Sequence, residues 1–257
     1  MTQLSTKNLT VGYGGVPVLN DISLDFPDAQ ITAVVGPNSC GMSTLLRCLT
    51  RLIKPMSGQA LLDGTPVHAQ KTKAVARRIA LLPQSAEAPP GMRVSDLVTR
   101  GRTPHQNPLQ QWSVKDEDAV ARALAQVGLS DQADRLVSDL SGGQRQRAWI
   151  AMVLAQDTDI LLLDEPTTFL DLPHQIETPQ LARTLQNERQ LTVAMGLHDI
   201  NLAARFADHI VALRAGSIIC QGAPAEVVTE ATIAAVYDLQ AKVFAGPVGG
   251  APYVIPL

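Results

Sequence analysis

The chain has 257 residues, of which 46% are hydrophobic and 18% charged, with a formal net charge of −3. That balance supplies ample core-forming material for one large domain. It argues against a broad basic face for nucleic acid, leaving room only for a local patch, and 4% aromatics provide few platforms for stacking bases.

In chain order, residues 4–11 and 16–26 are strand-like and flank Gly12, Tyr13, Gly14 and Gly15, which predicts an antiparallel hairpin. Residues 31–35 form a short, continuously apolar run ending at Gly36, after which Leu45, Leu46, Cys48, Leu49 and Leu52 recur at helical spacing. Residues 79–82, 160–163, 191–197 and 209–213 read as further buried strands. Continuous apolar strands separated by helices predict a mainly parallel sheet covered on both faces. Between 85 and 155 the alternation breaks. Pro89, Pro90, Gly91, Pro104 and Pro108 punctuate it, and residues 115–127 and 144–154 are helical, so an inserted helical subdomain is predicted. After Gly222 we expect one helix, residues 230–237, and then a Gly/Pro-rich end. No run approaches the roughly 20 apolar residues that cross a bilayer, and no secretory leader is visible at the N-terminus. Cys40, Cys48 and Cys220 form no CxxC pair and are read as reduced apolar thiols, with metal binding the lesser alternative.

Three motifs carry chemistry. Gly36, Pro37, Asn38, Ser39, Cys40, Gly41, Met42, Ser43 and Thr44 follow a strand and open a helix, so their backbone N–H groups can cradle phosphate while Ser43 offers a hydroxyl to Mg²⁺. The bland alternative is a turn and helix without a ligand. Residues 160–165 form an apolar strand ending in Asp164 and Glu165: an acid there can hold Mg²⁺, and its neighbour can polarise an attacking water. The bland alternative is a strand leaving the core through a polar turn. Leu140, Ser141, Gly142, Gly143 and Gln144 precede a helix and expose a second set of N–H groups; the alternative is an ordinary serine cap.

Taken in this order, the motifs resemble those of the ATP-binding cassette (ABC) transporter family over essentially the whole chain. The resemblance implies an α/β P-loop NTPase core with an N-terminal antiparallel β subdomain and an inserted α-helical subdomain. On this reading residues 1–84 and 156–221 are the nucleotide-binding core, 85–155 the helical subdomain and 222–257 a C-terminal extension. It implies that ATP and Mg²⁺ are bound, with two copies paired head to tail and each nucleotide held between the P-loop of one and Ser141, Gly142, Gly143 and Gln144 of the other. By the same resemblance Tyr13 stacks on adenine, Gln84 contacts Mg²⁺ and the attacking water, Asp171 with Phe169 and Leu170 belongs to the dimer-contacting loop, and His198 reads the γ-phosphate. Glu165, His198 and Gln84 are then the catalytic group, and Ser43, Gln84 and Asp164 the metal group. The partners implied are transmembrane permease subunits and, indirectly, a substrate-binding protein. Nucleic acid is not among them, and the location implied is peripheral, at the cytoplasmic face of the cell membrane. Residues 99–105, 164–171 and 198–205 resemble importers of ferric siderophores, cobalamin and haem, with ferric siderophores the first choice. His105 then lies on the helical subdomain near the permease, not on a metal.

Four positions depart from that pattern. Met42 stands where the family has the lysine that reaches the β- and γ-phosphates, removing a donor worth about 1.5–3 kcal/mol per charge-assisted bond and about 10²–10³ in rate. Ser39 stands where glycine is usual and is strained if φ there is positive. Pro179 is expected to kink a helix, and Gly196 to weaken a strand. The sequence thus predicts a family member with lost or reduced hydrolysis. Its rivals are a variant in which another cation covers the lost charge, and a non-hydrolysing half of an asymmetric pair. A soluble ABC ATPase of DNA repair or translation fits poorly, because the chain has one cassette and no heptad run.

Overall fold

The computed structural model describes residues 3–85, 87–107, 112–167, 172–247 and 249–257. Strand β1 (Leu4–Tyr13) pairs with β2 (Val16–Phe26) through Gly14 and Gly15, whose φ values of +56° and +84° suit the two-residue turn that matches strand twist. Strand β3 (Ile31–Val35) leads to helix α1 (Met42–Leu49). Strands β4 (Ser57–Leu62) and β5 (Thr65–Pro66) add to β1, giving the order β2-β1-β4-β5. Helix α2 (Thr72–Ala76) and strand β6 (Ile79–Leu82) follow.

The helical insertion contains α3 (Val94–Thr99), a 3-10 segment Arg100–His105, α4 (Val114–Gln126) and α5 (Gly142–Ala155). The chain then returns to the sheet with β7 (Ile160–Asp164), α6 (Leu172–Arg189), β8 (Thr192–Leu197), α7 (Ile200–Phe206), β9 (His209–Arg214) and β10 (Ser217–Gly222). Helices α8 (Pro224–Val227) and α9 (Glu230–Tyr237) precede β11 (Ala241–Ala245) and β12 (Pro252–Pro256).

The central sheet runs β10-β9-β3-β8-β7-β6. Its members pair in parallel except for β10, antiparallel on the edge. Because strand side chains alternate, each strand feeds two cores. Ile31, Ala33, Val35, Leu161, Leu163, Val193, Met195 and Leu197 pack with α3 to α9 on one face. Val34, Ile160, Leu162, Ala194, Val211 and Leu213 pack with α1 and the antiparallel sheet on the other. Leu45, Leu46 and Leu49 of α1 are fully buried there, each contributing about 1.5–3 kcal/mol.

An ion pair fastens the insertion internally. Arg102 donates to Asp116 Oδ1 at 2.7 Å and to the Ala155 carbonyl at 2.8 Å, both side chains being almost wholly buried. Burial pushes the Asp116 carboxyl up, but bonds from Ser113 and Arg102 outweigh it and hold it below the usual range. His105 is half-buried, with Nε2 2.8 Å from the Gln156 carbonyl.

The helix over α6 runs past Pro179 rather than ending there. Gly196 lies inside β8 between Val34 and Asp164, and a Cβ built on it meets nothing closer than 3.6 Å, so its backbone demands no glycine. The region after Gly222 corrects one expectation: it holds two helices, α8 and α9, rather than one, and its Gly/Pro-rich end carries a strand pair. Residues 241–245 pair with 252–256 because Val243, Phe244, Tyr253, Val254 and Ile255 favour strand, with the turn glycines confined between them. Asn201 of α7 clamps this hairpin, accepting from the Val254 N–H at 2.7 Å.

Candidate functional site

The turn after β3 is shaped by close approach. A Cβ on Gly36 would lie 2.3 Å from the Leu213 carbonyl oxygen, and one on Gly41 would lie 2.4 Å from Leu19 Cδ2. Gly41 also has φ +110°, a region L side chains rarely occupy. Ser39 sits at φ +63°, the left-handed conformation the sequence reading identified as costly for serine. The Cys40 N–H closes the turn onto the Pro37 carbonyl at 3.1 Å, while Asn38 and Ser39 face outward.

Helix α1 starts at Met42 with no side-chain cap and no acid in its first turn. Its leading N–H groups and positive dipole end therefore face the turn and favour an anion. They border a cavity of about 290 Å³ lined by Tyr13, Val18, Ser39 to Thr44 and Glu165. The glycine turn holds Tyr13, half-exposed, at the rim. Met42 is 3% exposed and belongs to the apolar cluster under the sheet, so its thioether packs and does not extend into solvent. Burial raises the Cys40 thiol and pushes Cys48 to about 12, so both stay protonated at neutral pH.

Parallel strands deliver the polar groups from their carboxyl ends, where open α/β sheets bind ligands. Asp164, the last residue of β7, is fully buried and accepts from Ser43 Oγ at 2.7 Å through Oδ1. Its Oδ2 has no hydrogen-bond partner among the described residues. Burial raises the Asp164 carboxyl, partly offset by the Ser43 bond and the nearby Arg47 charge. Glu165 follows at φ +48°. Its Oε2 accepts from Gln84 Nε2 at 2.6 Å, and its Oε1 lies 2.8 Å from His198 Nε2. Gln84 and His198 stand just beyond β6 and β8, so three neighbouring strand ends converge on one carboxylate.

The third motif lies elsewhere in the chain. Ser141 caps α5: its Oγ accepts from the Gln144 N–H at 3.3 Å, and its own N–H donates to Gln144 Oε1 at 3.0 Å. Gly142 and Gly143 form the first turn of a helix that packs against α3 and α4, whereas α1 packs on β1, β2, β4 and β7. None of residues 141–144 lines the cavity. Asp171, with Phe169 and Leu170, lies outside the described residues.

The sequence reading passed over three residues. Val18 lines the cavity but is an unremarkable strand residue. Arg47 follows Ser43 by four on α1, a spacing that could have placed it on the same helix face. Gln146 donates from Nε2 to the Pro166 carbonyl at 3.1 Å, joining α5 to the loop after Glu165; no pattern in the sequence signals that bond.

A family model described as ABC transporter matches residues 19–168. The petrobactin import ATP-binding protein FpuD of Bacillus anthracis is 50% identical over 253 residues, covering 98% of this chain and 93% of that protein. The ferric enterobactin transport ATP-binding protein FepC of Escherichia coli is 49% identical, covering 100% and 95%. A cobalamin import ATP-binding protein, BtuD of Halobacterium salinarum, is 40% identical over 99% of this chain and 63% of its own. Among solved structures, an ABC transporter described as of metal-chelate type, in an inward-facing conformation, superposes with a TM-score of 0.86 at 28% identity, covering 100% and 97%. A dimeric bacterial ABC transporter cassette superposes at 0.75 with 25% identity, covering 86% and 98%.

Proposed function

The chain belongs to the ABC transporter family, and from that premise we propose that it is the ATP-binding subunit energising an importer of ferric siderophores. The observation that carries this is the convergence of Gln84, His198 and Glu165 beside the Ser43–Asp164 pair, at one edge of an uncapped phosphate-type turn. The siderophore assignment rests on the roles of relatives near 50% identity along nearly their whole length.

Residues 36–44 and Tyr13 bind the nucleotide on this reading. The residues fit Mg²⁺: the unpartnered, buried Asp164 Oδ2 beside the Ser43 hydroxyl and the Gln84 amide form an all-oxygen donor set of the kind that ion takes. Bound there, Mg²⁺ would offset charge on the β- and γ-phosphates. Glu165 accepts the proton of the attacking water as its oxygen bonds to the γ-phosphorus and the bond to ADP breaks, while Gln84 and His198 hold the carboxylate and the water in place. Ser141, Gly142, Gly143 and Gln144 serve the nucleotide of a second copy, which accounts for their absence from the lining of this chain's own cavity, and the family resemblance assigns Asp171 to that contact. Residues 1–84 with 156–221, 85–155 and 222–257 act as core, helical subdomain and extension. The homodimer docks beneath permease subunits at the cytoplasmic face of the membrane, and a substrate-binding protein feeds the permease from the other side. With Met42 in the turn, binding is retained through backbone N–H groups while hydrolysis is slowed.

The reading is tested by ATP-dependent association. The Glu165→Gln protein should elute as a dimer with Mg²⁺-ATP, and a Ser141→Arg change should return it to monomer. Membrane vesicles carrying the complete importer should accumulate ferric siderophore only with ATP. Monomeric elution in every nucleotide state, or uptake unaffected by Glu165→Gln, would defeat it.

A further inference from the structure

Charge is distributed unevenly along this acidic chain. Residues 29–86 hold seven Lys or Arg side chains against a single acid, Asp63, so the remaining residues carry 14 basic side chains against 23 acidic ones. Asp63 is taken up with Arg78, which also pairs with Asp159. Lys54, Lys71, Lys73 and Arg77 are exposed, and none has a carboxylate partner among the described residues.

Hydrogen bonds tie together the segments that carry these cations. The loop after α1 is held to the segment before α2 by Arg51, which donates to the Gln70 carbonyl, and by His68 Nε2, 3.0 Å from the Ile53 carbonyl. Helix α2 is held in turn to the 3-10 segment: Lys73 Nζ donates to the Gln106 carbonyl at 2.8 Å and Arg77 Nε to the Pro104 carbonyl at 3.0 Å. The exposed Arg100 opens that segment. The field is felt locally. Burial holds the His68 ring below its ordinary value, the Ile53 contact opposes that, and the charges of Arg51 and Lys54 depress it further. Two apolar side chains flank Lys54, with Leu52 67% exposed and Met56 48% exposed.

We propose that this face, Leu52, Lys54 and Met56 with Lys71, Lys73 and Arg77, rests on the anionic phospholipid headgroups of the membrane beneath which the subunit works. Lysines on flexible stems beside exposed aliphatic groups suit a headgroup layer, where charge stays wet and the methyl groups enter the boundary. Nucleic acid fits less well, since no aromatic stands among these residues to stack a base. The proposal rests on the importer reading for the membrane's presence, but its chemistry is independent of ATP.

The test is flotation of the full chain with phosphatidylcholine vesicles, with and without phosphatidylglycerol. Binding should require phosphatidylglycerol and fall as salt is raised. Neutralising Lys54→Gln, Lys71→Gln and Lys73→Gln together should weaken it roughly a hundredfold, about fivefold per charge. A control with the same net change, Lys115→Gln, Arg122→Gln and Lys242→Gln, should bind as wild type. Matching melting curves for the two triple variants exclude misfolding as the cause. Failure to float with anionic vesicles, equal binding to neutral ones, equal loss in the control, or tighter binding of duplex DNA at the same salt would each overturn the proposal. ATP-dependent dimerisation is followed in the same samples, so dimers without flotation remove only the lipid contact, whereas flotation without dimers leaves it standing and counts against the importer reading.

Discussion

Replacing Met42 by lysine should separate binding from hydrolysis and change the protein's response to heat. Met42 Cβ and Asp164 Oδ1 both lie within 4 Å of the point a Cβ on Gly196 would occupy. A lysine rooted at position 42 therefore reaches the buried Asp164 carboxylate, whose Oδ2 has no partner among the described residues. Without nucleotide, burying the ammonium works against this pairing, and melting should shift little or fall. With saturating ATP the ammonium adds at least one charge-assisted bond, worth about 1.5–3 kcal/mol. For a chain of this size that corresponds to roughly 3–12 °C of additional ligand-induced shift. Turnover should rise further, by about 10²–10³, because the donor acts where charge develops. Differential scanning fluorimetry with and without Mg²⁺-ATP, run beside phosphate release, reads both quantities. Equal turnover and equal ATP-induced shifts in the two proteins would show that another group already covers the phosphate charge and that Met42 is no handicap.

Other changes test the scaffold. Ser39→Gly should stabilise the fold by up to about 1 kcal/mol, since relief of left-handed strain is partly offset by glycine's larger unfolded-state entropy; a lower denaturation midpoint would show the hydroxyl has a use there. Gly196→Ala should add about 0.5–1 kcal/mol, because the strand geometry is ordinary and the methyl has room; a loss in urea melts would mean the packing under Met42 is already full. Asp116→Ala should cost about 3–5 kcal/mol by stranding a buried Arg102, whereas Arg102→Met with Asp116→Leu should cost far less; equal losses would refute the stranded-charge account. His209 is held below its ordinary value by burial. Its unfolded form therefore binds more protons, and the stability it contributes is complete above about pH 6.5 and is lost as pH falls toward the depressed folded value. Urea midpoints between about pH 7.5 and 5.5 should decline less in His209→Gln, and parallel declines would sink the assignment.

The parallel strands were legible because buried strands read as unbroken apolar runs, and β3 and β6 begin and end where those runs do. Strand β4 was missed: its residues Ser57, Gly58 and Gln59 are exposed and only Ala60 and Leu62 are buried, too short an alternation to register. The closing hairpin was missed for a different reason. Its glycines dominate the composition of the tail, although they occupy only the turn. At the site, residue order along the chain disclosed which groups share a strand end. It could not disclose that Glu165 takes bonds from two sides, because Gln84 and His198 lie far from it in sequence and meet it only through the strand order β8-β7-β6.

The serine at the start of α5 uses only a lone pair to hold its helix: the oxygen receives the Gln144 hydrogen, and its own proton has no acceptor among the described residues. A visiting phosphate oxygen can thus be met by that hydroxyl hydrogen and by the glycine amides beside it without first undoing the cap. On the proposed dimeric reading, such a clamp would be ready before its guest arrives, and closing two copies together would move whole bodies while this turn stays as it is.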